Sequence, residues 1–182
     1  APRAVRVIGT VAGLRPEKNV ARLLRAVAAL PAGLPARLTI VGEGPERPAL
    51  AALAATLGIA GRVTFAGHLA APEQAYRAFD LFALSSDTEQ MPLSVLEAMA
   101  SGLAVAASDV GDVAEMLAVP NRRFAVPRED AALSAALAAL LADPALRRDL
   151  GAANRARAEA AFDQATMFAA NGGLFGLQPA TG

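Results

Sequence analysis

Two short runs of the chain, DLFAL at residues 80–84 and LAVAA at residues 103–107, are apolar at successive positions. A strand with one face in water alternates apolar and polar residues, whereas a strand buried on both faces is apolar almost throughout. The two runs therefore predict a parallel sheet that is covered by helices on both sides. No other feature of the sequence constrains the fold as strongly.

Short β-rich runs alternate with helical segments along the 182 residues. Strands are predicted at Val5–Gly9, Arg37–Val41, Arg62–Ala66, Asp80–Leu84, Leu103–Ala107 and Phe124–Val126. Helices are predicted at Asn19–Leu30, Pro45–Leu57, Pro72–Phe79, Pro92–Ser101, Asp112–Leu117, Asp130–Leu141 and Pro144–Phe162, and Met167–Ala170 is compatible with a helix. Repeated βα units predict a right-handed, doubly wound α/β domain with a parallel sheet of about six strands. We expect this domain to span residues 1–165, with a C-terminal helical extension over residues 166–182.

Aspartates are predicted to cap three of the helices. Asp130 and Asp143 precede helical runs, where a carboxylate can accept hydrogen bonds from the free N–H groups of the first turn. Asp112 is expected to be an N-cap with Glu115 three residues later, close to a capping box.

The composition excludes several classes of protein. Hydrophobic residues make up 54% of the chain and aromatic residues only 4%, so the core must be built from Leu, Val, Ile and Ala. The 17 basic and 17 acidic side chains cancel, and without a basic stripe we expect no nucleic-acid partner. Cysteine is absent and His68 is the only histidine, which excludes disulfides and the usual transition-metal sites.

Hydropathy and the first residues bear on location and completeness. No apolar run reaches the ~18–20 residues that a membrane-spanning helix needs. The first residues, APRAVRV, lack both an initiator Met and the pattern of a signal peptide. We therefore expect the chain to be a piece of a longer protein.

Ligands of doubly wound sheets bind outside the carboxyl ends of the strands, which directs attention to the loops there. The first such loop, GTVAGLRPEKN at residues 9–19, places Lys18 at the entry to a helix. Helix N-termini favour anions, so Lys18 is either a phosphate ligand or a solvated side chain. Neither a P-loop nor a G-x-G-x-x-G fingerprint is present.

The second and third loops carry weaker signals. Gly42 and Gly44, in VGEGPER, suit a plain β-to-α turn as well as a ligand that approaches the backbone closely. His68 follows the third strand, where it is either structural, exposed or in contact with a ligand.

The fourth loop, ALSSDTEQMP at residues 83–92, carries the strongest signal. Its polar residues, from Ser85 to Gln90, form a hydrogen-bonding strip at the expected ligand edge. The helix that follows is apolar on nearly every face, so we expect it to be buried. A carboxylate on such a helix needs hydrogen-bond donors. Glu97 therefore binds ligand hydroxyls, pairs with an internal Arg, or faces solvent.

The segment TEQMPLSVLEAMASGLAVAASDVGD resembles the E-x7-E region of the GT-B glycosyltransferases of family 4, also called group 1. Four further segments resemble the same family in the same order. They are LRPEKN, LTIVGEGPERPAL, VTFAGH and DPALRRDLGAANRARAEAAFD. The resemblance covers residues 4–165 and implies the C-terminal, Rossmann-like domain that binds the nucleotide-sugar donor.

The resemblance implies a role for each matching residue. Glu97 would accept hydrogen bonds from the donor's ribose, Glu89 would hold hydroxyls of the transferred sugar, and Lys18 would neutralise the diphosphate. Backbone N–H groups of the helix entry would face the sugar and the diphosphate, and two further loops would border the nucleotide. The helix entry spans Gln90, Met91, Pro92, Leu93 and Ser94, of which Pro92 has no backbone N–H to donate, and the loop residues are Gly42, Gly44, His68 and Leu69.

The resemblance also implies a retaining transfer to a saccharide or lipid-linked acceptor, with no metal or other cofactor. An N-terminal Rossmann-like domain would be required as a partner, and the chain alone would be inactive. The face that meets that domain could instead drive self-association. We expect a cytoplasmic protein, with the inner-membrane surface as an alternative place for the full-length enzyme.

One position departs from the family pattern. The Arg that precedes the family's Lys by five residues is Gly13 here, and Arg15 is the nearest possible substitute. Two other functions therefore stay open. One is a Rossmann-like binding or assembly module without activity. The other is a GT-B epimerase or phosphorylase, for which additional acidic or basic residues would be expected near the fourth loop.

Overall fold

The computed structural model of the chain describes residues 5–69 and 73–161. Within these residues, six strands form one parallel sheet in the order β3-β2-β1-β4-β5-β6. The strands are β1 Arg6–Val11, β2 Ala36–Val41, β3 Val63–Gly67, β4 Leu81–Leu84, β5 Val105–Ser108 and β6 Ala125–Val126. The helices are α1 Val20–Ala28, α2 Arg47–Thr56, α3 Glu73–Tyr76, α4 Leu93–Ala100, α5 Val113–Met116, α6 Asp130–Ala142 and α7 Pro144–Ala161. The doubly wound α/β fold is confirmed.

Both faces of the sheet are covered, as the apolar strands predict. Every residue of β4 is buried. Leu81 and Ala83 belong to one core with side chains of α1, α2 and α6. Phe82 and Leu84 belong to a second core with side chains of α3, α4 and α5. Burial on both faces explains why this strand has no polar alternation.

The predicted strands overlap all six strands of the sheet, and their ends differ by at most two residues. β1 continues two residues beyond its predicted end, because Thr10 and Val11 pair with Ile40 and Val41 of β2. The predicted helix at Met167–Ala170 and the predicted extension over residues 166–182 lie outside the described residues, as do Pro72 and Phe162.

The three predicted caps have different outcomes. Asp143 caps α7, since its Oδ1 accepts a hydrogen bond from the backbone N–H of Leu146 at 2.9 Å. The prediction for Asp130 is wrong: Glu129 occupies the N-cap of α6, and Asp130 pairs with Arg25 at 2.5 Å. Asp112 occupies the N-cap of α5 but makes no side-chain cap bond, so the predicted capping box does not form.

The prediction that α4 is buried on nearly every face is also wrong. Its buried residues are Val95, Ala98 and Met99, whereas Leu93 is 71% exposed and Glu97 is exposed. One face of the helix packs against β4, β5 and α7. On the side that carries Glu97 the helix is contacted by Tyr76 of α3, and Leu93 and Ala100 are exposed.

Candidate functional site

The centre of the sheet is the point where the strand order reverses, between β1 and β4. These two strands pair only through Ile8 with Leu81 and Gly9 with Phe82. Both strands run two residues further, to Val11 and Leu84, but these last residues do not pair with each other. A crevice therefore opens at their carboxyl ends, which is where doubly wound sheets bind ligands.

Lys18 and Glu89 meet across this crevice. Lys18 Nζ donates to Glu89 Oε1 at 2.7 Å, although 71 positions separate the two residues in the chain. The hydroxyl of Ser86 donates to the same oxygen at 2.7 Å. Within the described part of the chain no donor contacts Glu89 Oε2. The carboxylate is therefore held through one oxygen and offers the other to a ligand.

A second set of contacts joins the same two loops behind the Lys18–Glu89 pair. The guanidinium of Arg22 donates to Asp87 Oδ1 at 2.7 Å and to the Ser85 carbonyl at 2.8 Å. Asn19 Nδ2 donates to Asp87 Oδ2 at 2.9 Å. Burial alone would raise the pKa of the Asp87 carboxyl group, but the hydrogen bonds from Arg22 and Asn19 and the positive charges of Arg22 and Arg128 together lower it.

Glu97 projects from the exposed face of α4 and accepts a hydrogen bond from the Tyr76 hydroxyl at its Oε2, at 2.7 Å. No Arg pairs with Glu97 among residues 5–69 and 73–161, so the interpretation as an internal ion pair is wrong. Burial, the hydrogen bond to Glu97 and the charge of Glu97 all raise the pKa of Tyr76. Tyr76 therefore remains a proton donor to this carboxylate.

The N-terminus of α4 lies open between the two glutamates in the sequence. Pro92 occupies the N-cap, and no side chain caps the first turn. Gln90, Met91 and Leu93 are exposed. Uncapped N–H groups at the start of a helix favour an anion. This end of α4 could therefore bind a phosphate group.

The loops after β2 and β3 contact each other and the loop after β1. Gly42 N donates to the Gly67 carbonyl at 2.8 Å, and a Cβ at Gly42 would lie 1.9 Å from the Ala12 carbonyl oxygen. A Cβ at Gly44 would lie 2.3 Å from the Leu14 carbonyl oxygen. Close packing of the loop after β2 against the loop after β1 is thus sufficient to explain why both positions are glycine. His68 is exposed and Leu69 is half-buried beside them.

Gly13 and Arg15 are both exposed. A Cβ at Gly13 would meet no atom within 4 Å, so a larger side chain fits there. The Arg15 side chain makes no hydrogen bond or ion pair within the described part of the chain. The structure thus brings Lys18 to Glu89 and does not bring Arg15 to them.

An open cleft of about 530 Å³ lies beside Arg22 and Asp87. Its other lining residues come from the loops after β5 and β6. They are Asp109, Pro127, Arg128 and Glu129. The cleft therefore shares two residues with the cluster at the strand-order reversal.

Two searches cover the described residues only. No group of three or more His, Cys, Asp or Glu side chains there could hold a metal ion. No helix there is long and apolar enough to cross a membrane.

Sequence reasoning did not single out Arg22, Asn19 or Tyr76, and it placed Asp87 only within a polar strip. Two signals were available. Arg22 lies one turn before the buried Ala26, on the apolar side of α1. Tyr76 is the only tyrosine of the chain. Neither signal identifies the partner, because the partners lie 21 or more positions away.

The model of the family Glycosyl transferases group 1 matches residues 2–157. The chain belongs to this family. The predicted group 1 resemblance is therefore confirmed, and the finer assignment to family 4 stays a prediction.

Curated relatives of this group 1 glycosyltransferase chain match it over most of its length. It is 34% identical to 2-deoxystreptamine glucosyltransferase from Streptomyces kanamyceticus, over 76% of this chain and 37% of that protein. It is 40% identical to D-inositol 3-phosphate glycosyltransferase from Nocardia farcinica, over 80% of this chain and 35% of that protein. The chain thus spans little more than a third of the length of these relatives.

Solved structures share the fold of this group 1 chain. Sucrose-phosphate synthase from Thermosynechococcus elongatus superposes with a TM-score of 0.84 at 29% identity, over 93% of this chain and 44% of that one. HepE from Anabaena, solved in complex with UDP, gives a TM-score of 0.84 at 24% identity, over 94% of this chain and 49% of that one. Both superpositions support the GT-B glycosyltransferase architecture.

Proposed function

We propose that this chain is the donor-binding domain of a retaining family 4 glycosyltransferase, which transfers a sugar from a nucleotide sugar to a saccharide or lipid-linked acceptor. The observation that carries the proposal is the 2.7 Å contact between Lys18 Nζ and Glu89 Oε1 at the strand-order reversal. A cation for a diphosphate and a carboxylate for sugar hydroxyls are thus adjacent, as a nucleotide sugar requires.

The names of the relatives support this proposal at the level of substrate class. The two curated relatives are a glucosyltransferase and an inositol 3-phosphate glycosyltransferase, and the HepE structure contains UDP. This chain spans little more than a third of those relatives, so we propose that an N-terminal domain completes the enzyme and binds the acceptor.

Each residue has a proposed task in the transfer. The bond between the anomeric carbon and the diphosphate oxygen breaks, and negative charge develops on that oxygen. Lys18 and the uncapped N–H groups of α4 stabilise this charge without needing a metal ion. Glu89 orients the sugar through Oε2 rather than acting as a base, while Lys18 and Ser86 hold its Oε1 in place. Glu97 holds the ribose, with Tyr76 fixing its position.

A titration tests the proposal on the chain itself. The chain is titrated with UDP, GDP and ADP while the NMR signals of Lys18, Glu89 and Glu97 are followed. We expect one nucleotide to shift all three. No response to any of them would contradict the proposal for this chain.

Two variants sharpen the titration. Glu97→Ala should weaken the binding of the nucleotide that responds, because the ribose loses its acceptor. Glu159→Ala, on the exposed surface of α7, is the matched control and should bind like the wild type. Equal affinities for the two variants would refute the ribose role of Glu97.

A second candidate function is a binding or assembly module without activity. Gly13 favours it, since an exposed glycine stands where the family has an Arg for the diphosphate. In that case UDP-, GDP- and ADP-sugars would all leave the NMR spectrum unchanged.

A further inference from the structure

Asp87 is contacted by four residues from two separate segments of the chain, residues 17–22 and the loop after β6. Its carboxylate accepts hydrogen bonds from Arg22 on α1 and from Asn19 before α1. Its backbone N–H donates to the Glu17 carbonyl at 2.8 Å, and its own carbonyl accepts from Arg128, after β6, at 3.1 Å. Both oxygens of the carboxylate and both polar groups of the backbone are therefore used. A loop residue with all of these groups bound is fixed in position.

The neighbouring Ser85 is tied to the same segment. Its hydroxyl donates to the Lys18 carbonyl at 3.1 Å, and its carbonyl accepts from Arg22 at 2.8 Å. Residues 85–87 are thus bound to residues 17–22 across the part of the crevice where β1 and β4 no longer pair. These side chains replace the missing ladder of backbone hydrogen bonds.

Each of these two segments is connected to one of the proposed donor ligands. Lys18 lies within residues 17–22, and Ser86, which binds Glu89, lies within residues 85–87. The position of residues 85–87 relative to residues 17–22 therefore sets how far Lys18 Nζ lies from Glu89. The glycosyl phosphate link of a nucleotide sugar limits how far its diphosphate can lie from its sugar hydroxyls, so that spacing affects binding.

The charges of Arg22 and Asp87 favour the same arrangement of the two segments. Only 9% of the Arg22 side chain is exposed, and its two hydrogen-bond acceptors are the Ser85 carbonyl and Asp87. Without the carboxylate of Asp87, this buried guanidinium would lack a negative partner within the described part of the chain. Leaving a buried charge unpaired is costly, so the loops would rearrange.

We infer that Asp87 is a positioning residue that holds Lys18 and Glu89 at the spacing required by a nucleotide sugar. The inference rests on the proposed function and adds a residue to it. Asp87 itself does not touch the donor; it acts through Arg22, Asn19 and the backbone.

The test compares Asp87→Asn with the wild-type chain in two measurements. The first follows the Lys18 ammonium and Glu89 carboxylate NMR signals without ligand. The second measures affinities by calorimetry for three pairs: UDP with UDP-glucose, GDP with GDP-mannose, and ADP with ADP-glucose. Glu159→Gln is the matched control, since it also neutralises a carboxylate that pairs with an Arg, on the surface of α7.

We expect Asp87→Asn to shift both NMR signals and to weaken the binding of the nucleotide sugar about five- to tenfold, as for the loss of hydrogen bonds to a charged group. The affinity for the nucleoside diphosphate should stay within about twofold of the wild type, because the ribose and phosphate groups keep their own ligands. If Asp87 had a purely structural role, its loss would weaken the binding of the nucleoside diphosphate and of the nucleotide sugar equally. Unchanged NMR signals, or equal losses for both ligands, would overturn the inference.

A milder variant keeps the test decisive should Asp87→Asn fail to fold. Asn19→Gly removes one hydrogen bond to Asp87 and the N-cap bond that Asn19 Oδ1 accepts from the Arg22 N–H, and glycine suits the left-handed backbone at this position, where φ is 40°. It should move the same NMR signals in the same direction. If the wild type binds none of the six ligands, the proposed function fails, whereas the NMR signals of the ligand-free variants still decide whether Asp87 sets the spacing.

Discussion

At the scale of single residues, the two glutamates of the E-x7-E segment differ in how they are held. Glu89 is bound through one oxygen by Lys18 and Ser86, and its side chain is 9% exposed. Glu97 is exposed and is bound by the buried Tyr76. Each carboxylate is thus held through one oxygen, Glu89 in a largely buried position and Glu97 in an exposed one.

The charge of Glu89 partly neutralises Lys18 before any ligand binds. Glu89→Gln should therefore tighten the binding of a nucleoside diphosphate about two- to fivefold, which is the range of a partly exposed ion pair. The extra affinity contributed by the sugar should fall at the same time. Calorimetry with the diphosphate and the matching nucleotide sugar measures both effects. Weaker diphosphate binding would contradict the assignment of Lys18.

Tyr76 fixes one oxygen of Glu97. Tyr76→Phe should weaken nucleotide binding about threefold, because Glu97 loses one donor and gains rotational freedom. The free energy of unfolding should fall by less than about 1 kcal/mol, since water can reach the exposed carboxylate. The two effects can be measured by calorimetry and by urea denaturation. Additive effects of Tyr76→Phe and Glu97→Gln on binding would contradict the proposed coupling.

Gly13 lies in the same loop as Lys18, and no atom lies within 4 Å of the place that its Cβ would occupy. Gly13→Arg should increase the affinity for a nucleoside diphosphate about two- to tenfold, because it adds a second cation near the phosphates. Gly33→Arg is a suitable control, since Gly33 is equally unobstructed but precedes β2 at the opposite edge of the sheet. Equal affinities for both variants would show that residue 13 does not reach the ligand.

At the scale of elements, α7 packs on the connection between α4 and β5. A Cβ at Gly151 would lie 2.0 Å from the Gly102 carbonyl oxygen, so the helix approaches this turn through a glycine. Asn154 on the same helix donates to the Leu103 carbonyl at 2.9 Å, and its Oδ1 accepts from the Ala118 N–H at 3.2 Å. Helix α7 therefore fixes the turn before β5 and the segment that follows α5.

Gly151→Ala should destabilise the chain by about 1–3 kcal/mol through overpacking against this turn. Helix propensity alone would give the opposite sign, a gain of roughly 1 kcal/mol. Ala152→Gly, at an exposed position of α7, is the control and should cost about 1 kcal/mol by propensity. Urea denaturation measures both changes, and a stabilised Gly151→Ala variant would show that the turn can move aside.

The positions of most strands and helices could be predicted from the sequence, whereas the contacts in the candidate site could be predicted only in part. Strands β4 and β5 were predictable because burial on both faces leaves an uninterrupted apolar run in the sequence. The prediction that α4 is buried on nearly every face was wrong, because an apolar composition does not show whether a neighbouring element covers each face of a helix. Lys18 was a candidate phosphate ligand from its place at a helix entry, and the resemblance supplied the expected roles of Lys18 and Glu89. The contact between Arg22 and Asp87 joins residues 65 positions apart, and no local pattern reports such a pairing.

At the scale of the whole molecule, the Asp87 cluster makes stability depend on pH. The pKa of Asp87 in the folded chain lies below its ordinary value of 3.8, so its ionised form stabilises the fold above that value. This contribution decreases as the pH falls through the lowered pKa. The free-energy difference between wild type and Asp87→Asn should therefore be largest near neutral pH and should narrow below about pH 4. Denaturation from pH 7 to pH 3 measures it, and a constant difference would contradict the ion pair.

The short pairing of β1 with β4 also bears on the order of folding. Each half of the sheet is built from βα units that are local in sequence, and the halves share only two paired positions. The hydrogen bonds that close the crevice join residues 63 to 71 positions apart, so loop-closure entropy opposes their early formation. We expect both halves to be largely assembled before these bonds form. The contacts around Asp87 and the Lys18–Glu89 pair would then be the last part of the native structure to form.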